Sequence, residues 1–217
     1  MPKFMISRQQ IHDGRTRILG SDARHISKIL RLGHGDELAL TDGSGRDLTG
    51  IILEASLAEI VLEITDDRQS DTESPLGITL GSGMLKHQKM DLVIKNATQL
   101  GIHEWIPFFC ERSIPRPDPK GLDKKQARWE AIAAESVKQC LRSRLPRICR
   151  PMEFHDLLKR SDAYDTRIAF WENSSRPLSD LQARDLGPDN RVLILIGPEG
   201  GFSQKEVDML EAKGFLS

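Results

Sequence analysis

The stretch Ile196-Gly197-Pro198-Glu199-Gly200-Gly201-Phe202 is where residue types and spacing point most directly to chemistry. Glycines let a backbone approach a ligand closely or adopt positive φ. The run before it, Val192 to Ile196, is unbroken apolar and ends at Gly and Pro, which reads as a strand buried on both faces, as in a parallel sheet. Ser203-Gln204-Lys205-Glu206 follows as a capping box that starts a helix. The loop therefore sits at the carboxyl end of a strand and before a helix amino terminus, where open α/β sheets bind ligands. Neither the P-loop pattern nor the G-x-G-x-x-G dinucleotide fingerprint is present. On these residues alone, a tight strand–helix turn without a ligand is the alternative.

The elements that must carry this loop form two groups. Residues 65–75 contain no apolar residue and read as a linker, dividing the chain into domains at 1–73 and 74–217. The first group is mostly β. Short strands are expected at 17–19, 37–41, 48–53 and 58–64, with turns at 33–36 and 42–45. One helix, capped by Ser21, turns Ile26, Ile29 and Leu30 inward, and a small barrel is the natural architecture. The second group alternates: strands at 76–84, 105–109, 147–149, 167–171 and 192–196, helices at 86–100, 122–142, 154–159 and 203–212. That alternation predicts an α/β domain with a mainly parallel sheet. After Gly214, Phe215-Leu216 begins what reads as another strand, and a sheet stopping there suggests further residues.

The totals fit a soluble protein: 217 residues, 29% charged, formal net charge −1. No apolar run spans a membrane and no secretory leader opens the chain, so a cytoplasmic protein with no membrane partner is expected. Cys110, Cys140 and Cys149 form no C-x-x-C pair, which argues against a disulfide framework or a zinc site; no metal is expected. The near-zero charge hides two basic segments. Residues 1–35 carry seven Lys or Arg against two Asp, and residues 112–160 carry thirteen against six acidic residues. Such local excess can hold a phosphate backbone, though an ordinary solvated face has the same composition.

Four separated motifs occur in a recognisable order: His25-Ile26-Ser27-Lys28-Ile29-Leu30-Arg31-Leu32; Glu111-Arg112-Ser113; Glu135 to Cys140 followed by Arg144 and Pro146; and Ile196 to Gly201. Together they resemble the bacterial 16S ribosomal RNA uracil-N3 methyltransferases of the SPOUT (α/β-knot) class, over nearly the whole chain. The resemblance implies an amino-terminal PUA-like barrel that binds RNA, a knotted domain that binds S-adenosylmethionine, and a homodimer acting on uridine 1498 of the small ribosomal subunit. Members of that class continue past the last helix into a strand and a Leu-Gly-x-Arg-x-Leu-Arg-x-Glu-Thr-Ala segment. That segment is absent here, so an incomplete knot is expected.

By resemblance, Ile196, Gly197, Pro198, Glu199, Gly200 and Gly201 form one wall of the cofactor pocket. The loop Phe170-Trp171-Glu172-Asn173, after a neighbouring strand, should lie beside it. His25, Lys28, Arg31, Arg112, Arg142 and Arg144 are the candidates for RNA contacts, since Arg forks onto phosphates and stacks on bases. His25 reads slightly better as a buried packing residue. Methyl transfer to uracil N3 requires loss of the N3 proton while the unpaired base lies in line with the methyl donor. Glu111, Glu135 and Glu172 are the candidate bases, and Arg112 or Arg144 would stabilise the developing oxyanion. The alternatives are another SPOUT enzyme acting on a transfer RNA ribose 2′-hydroxyl, or a non-catalytic RNA-binding protein.

Overall fold

A computed structural model describes residues 2–174, 177 and 190–216. The chain divides into two compact units: Met1–Glu73 with Ala134–Leu145, and Ser74–Ala133 with Pro146–Ser217.

The first unit is built on five strands: β1 (Lys3–Met5), β2 (Arg15–Leu19), β3 (Glu37–Thr41), β4 (Arg46–Ala55) and β5 (Glu59–Gln69). They pair in the order β1-β3-β4-β5-β2, with β1 parallel to β3 and the other neighbours antiparallel. Alternate residues point inward along β2, β3 and β4, so Ile18, Leu38, Leu40, Leu48 and Ile52 join Phe4, Ile60 and Leu62 in one core.

Three expectations fail here. Residues 65–69 are not linker but the end of β5, with Asp66 to Gln69 paired with Thr49 to Arg46. An exposed strand end needs no apolar residue, and its charges are matched across the sheet: Asp67 accepts from Arg46 Nε at 2.6 Å and from Arg8 Nη2 at 2.6 Å. Ser21 is not a cap. Helix α1 (Gly20–Arg24) begins one residue earlier, where Gly20 at φ +69 turns the chain out of β2. The helix then continues as a π-helical stretch, His25–Leu30, closed by Arg31 at φ +58. Its i→i+5 bonding shifts side-chain phase from the 3.6-residue period. Ile26 is buried, Leu30 is partly buried, and Ile29 is 68% exposed rather than inward.

The second unit carries β6 (Gly77–Gly83), α2 (Lys89–Gln99), β7 (Glu104–Phe109), α3 (Pro119–Cys140), β8 (Arg147–Ile148), β9 (Met152–Glu153), α4 (Phe154–Arg160), β10 (Thr166–Phe170), β11 (Arg191–Ile196) and α5 (Gln204–Ala212). Residues of α3 after Ala133 belong to the first unit. The sheet is parallel, in the order β10-β11-β6-β7-β8, with β9 also on β7. Strand β7 is buried along its whole length, as a central parallel strand must be. Trp105 on β7 meets Trp129 on α3 edge-on at 4.9 Å, and its indole N–H donates to Ser82 Oγ at 2.9 Å. On the other side of the sheet Phe108, Phe154, Leu193, Leu195, Phe202 and Leu210 pack together. Leu216 forms an isolated parallel bridge with Ile168 of β10. Among the described residues no helix is long and apolar enough to cross a membrane.

Candidate active site

Strand order fixes where a ligand belongs. From β6 the chain crosses by α2 to β7 on one side, whereas β11 and β10 lie on the other. The order therefore reverses between β6 and β11, a topological switch point, and in open α/β sheets ligands bind outside the carboxyl ends of the strands at such a point. The loop 197–203 leaves β11 at that point.

The loop is held by contacts that leave no room for side chains. A Cβ added at Gly83, the last residue of β6, would lie 2.5 Å from Pro198 N and 2.7 Å from Pro198 Cδ. Gly201 sits at φ +66, donates its N–H to the Pro198 carbonyl at 2.9 Å, and has the Glu172 carboxylate where a Cβ would go. Glu199 reaches α2: its Oε1 accepts from Lys89 Nζ at 2.8 Å and from Lys86 N at 3.2 Å. The Lys89 hydrogen bond is the main reason that its carboxyl is held down to about 2. Arg112 Nη1 donates to the Gly200 carbonyl at 2.7 Å, and its methylenes lie against the Gly200 Cα.

At the carboxyl ends of β10 and β11 two large apolar side chains face solvent. Phe170 is 46% exposed and Ile196 is 45% exposed, and they are register partners on β10 and β11. Residues just before them, Ala169 and Leu195, are almost fully buried. Trp171 packs on the core instead. A backbone cradle closed to Cβ atoms beside an exposed apolar pair suits a flat, partly polar ligand such as a nucleoside. The sequence-predicted residues Phe170, Glu172, Arg112 and Ile196 to Gly201 are thus brought together. Gly83 escaped sequence reading, although Gly77, Gly81 and Gly83 inside one strand signal a close backbone approach. Among the described residues no group of His, Cys, Asp and Glu could hold a metal ion.

The remaining candidates, apart from Glu111, lie in the first unit. His25 is exposed, not buried, with its ring edge against Phe4 at 5.8 Å. It lines a groove of about 420 Å³ with Glu135, Lys138 and Gln139, and Lys138 is paired to Asp22 at 2.8 Å. Lys28 and Arg31 are exposed. Arg142 is not a surface arginine: its side chain is buried and donates to Glu73 Oε2 from Nη2 at 2.8 Å. Glu73 Oε1 also accepts from Ser143 N at 2.7 Å and Arg144 N at 2.9 Å. Burial pushes the Glu73 carboxyl up, but the Arg142 and backbone hydrogen bonds outweigh it and hold the group below its usual value. Arg144 is half-buried, stacked where a Cβ on Gly45 would stand, and its Nε is buried without a hydrogen-bond partner among the described residues. Glu111 is exposed, and its backbone N–H is bonded to Glu206.

Residues 72–217 match the family described as RNA methyltransferase domain. A relative from Bacillus subtilis, named ribosomal RNA small subunit methyltransferase E, is 30% identical over 210 residues, covering 94% of this chain and 82% of that protein. The chain belongs to the ribosomal RNA small subunit methyltransferase E family. A solved structure of such a methyltransferase from Neisseria gonorrhoeae, bound to S-adenosyl methionine, aligns with TM-score 0.85 at 25% identity over 99% of this chain and 86% of that one. A probable rRNA-methyltransferase from Porphyromonas gingivalis aligns with TM-score 0.78 at 26% identity over 99% of this chain and 87% of that one.

Proposed function

We propose that the protein transfers a methyl group from S-adenosylmethionine to N3 of a uridine in small-subunit ribosomal RNA, uridine 1498 by family resemblance. The observation that carries this reading is the glycine loop Gly197 to Gly201, packed against Gly83 at the carboxyl ends of β6 and β11 where the strand order reverses, with Phe170 and Ile196 exposed beside it. When bound, the cofactor supplies an electrophilic sulfonium methyl. Backbone groups of the glycine loop would hold its polar parts, and Phe170 with Ile196 its apolar face.

The chain's own work is to present the uracil as an anion. Glu172, whose carboxylate lies against Gly201, is assigned the N3 proton; a positioned base contributes about 10²–10⁴-fold. Glu135 lines the groove of the first unit, which suits a contact with RNA better than the proton transfer. Arg112, anchored at Gly200, would face the oxygen on which negative charge develops. Lys28, Arg31 and Arg144 are assigned to RNA phosphates and His25 to a neighbouring base; Arg142 would act by shaping the segment that carries Arg144. In this reading residues 1–73 form a PUA-like RNA-binding barrel and 74–217 a SPOUT domain with an incomplete α/β knot, working as a cytoplasmic homodimer.

Deleting the gene and mapping modified nucleosides of 16S RNA tests the proposal. Loss of N3-methyluridine, restored by the intact gene, is the expected result. Unchanged N3-methyluridine, or loss of a transfer RNA 2′-O-methyl group instead, would overturn it.

A further inference from the structure

Glu206 carries a charge into a place where the capping of α5 needs only part of it. It is 4% exposed. Its Oε2 accepts from Ser203 N at 2.9 Å, and Ser203 Oγ accepts from Glu206 N at 3.4 Å, which completes the capping box. Its other oxygen, Oε1, leaves the helix and accepts from the backbone N–H of Glu111 at 2.8 Å, 95 residues away in sequence. The next residue, Arg112, returns the connection by donating to the Gly200 carbonyl at 2.7 Å. Glu111, Arg112, Gly200 to Ser203 and Glu206 therefore form one closed ring of covalent and hydrogen bonds. Burial pushes the thiol of neighbouring Cys110 up, and the Glu206 charge adds to the rise.

We infer that Glu206 is a positioning residue: by bridging Ser203 and Glu111 it fixes Arg112 over the glycine loop, in the one orientation from which its guanidinium can meet the substrate base. The inference rests on the proposed methyl transfer. A carboxylate is required because both donors it faces are N–H groups. An amide at this position would turn its NH2 toward one of them, leaving two donors opposed. Losing the Glu111 bond frees the segment that presents Arg112, and displacing a catalytic contact by about 1 Å costs up to about 10²-fold in rate.

The test compares the full chain with Glu206→Gln, Ser203→Ala, Arg112→Ala and the Glu206→Gln/Arg112→Ala pair. Readouts are hydrogen exchange at the Glu111 amide, cofactor affinity by calorimetry, and kcat with KM on small-subunit RNA. Glu206→Gln should unprotect the Glu111 amide and lower kcat about tenfold or more, with cofactor affinity changed less than about threefold. It should cost nothing further once Arg112 is alanine. Ser203→Ala, which loosens only the cap, should lower stability and leave kcat near wild type. Should Glu206→Gln not fold, Glu206→Asp replaces it, since an acid one methylene shorter cannot span both donors. Additive effects of the pair, a Glu111 amide that stays protected, or equal loss of kcat in Ser203→Ala would overturn the inference. Wild-type protein that transfers no methyl group to small-subunit RNA, while Glu206→Gln still unprotects the Glu111 amide, would overturn the proposed function and leave the tether standing.

Discussion

Gly83→Ala isolates the contact between β6 and the glycine loop. Gly83 does not have positive φ, so alanine there adds steric bulk and no backbone strain. Its Cβ would lie 2.5 Å from Pro198 N and 2.9 Å from Gly197 C, against ordinary contacts beginning at 3.4 Å. Both are backbone atoms on one side of the new methyl, so rotamer change offers no relief. The loop must withdraw from β6 by about 1 Å, and overpacking of this kind costs about 1–3 kcal/mol. Expressed in the fold, that lowers Tm by about 2–4 °C per kcal/mol for a chain of this size. Expressed in ligand binding, it weakens cofactor affinity roughly 5–150-fold. The assay is calorimetric titration of S-adenosylmethionine into wild type, Gly83→Ala and Gly33→Ala. Gly33 is the control, since a Cβ there meets nothing within 4 Å, and its substitution should stay within about 0.5 kcal/mol. Wild-type affinity and wild-type Tm in Gly83→Ala would refute the claim that β6 and the loop jointly wall the site.

Phe170→Ala and Ile196→Ala remove side chains that are nearly half exposed. Each should leave Tm within a few degrees while weakening cofactor binding by about 1–2 kcal/mol, from the area that the ligand would cover; a fall in Tm without loss of affinity would mark them as core. Glu73→Gln strips the charge partner from buried Arg142 and should destabilise by about 3–5 kcal/mol in urea unfolding. Because the Glu73 carboxyl is depressed in the folded state, its contribution is present above 4.5 and fades as pH falls below that. Wild type should therefore lose stability in that acid range more steeply than Glu73→Gln, and parallel profiles would contradict the assignment.

The parts legible in the sequence are those whose signal is local. Strand β11 reads as an apolar run because a central parallel strand is covered on both faces. The loop and the Ser203 cap of α5 read from adjacent residues. What escaped depends on partners far along the chain. Residues 65–69 look like linker because nothing in them is apolar, and only Arg46 and Arg8 across the sheet make them strand. Arg142 looks like a surface cation until Glu73, 69 residues away, is placed beside it. Ile29 fits a 3.6-residue stripe, and only the π-helical bonding turns it outward. Within the site, the glycine loop was readable, but the need for Gly83 and the second role of Glu206 arise only where β6, β7 and β11 end together.

Methylation of uridine N3 at the switch point between β6 and β11 is the step on which the proposed function stands. Purified full-length protein, methyl-labelled S-adenosylmethionine and small subunits from a deletion strain allow it to be measured directly, with the product nucleoside identified by mass spectrometry. Labelled N3-methyluridine is expected with wild type and far less with Gly83→Ala. Label appearing as a 2′-O-methyl nucleoside, or no label in ribosomal RNA at all, would contradict it.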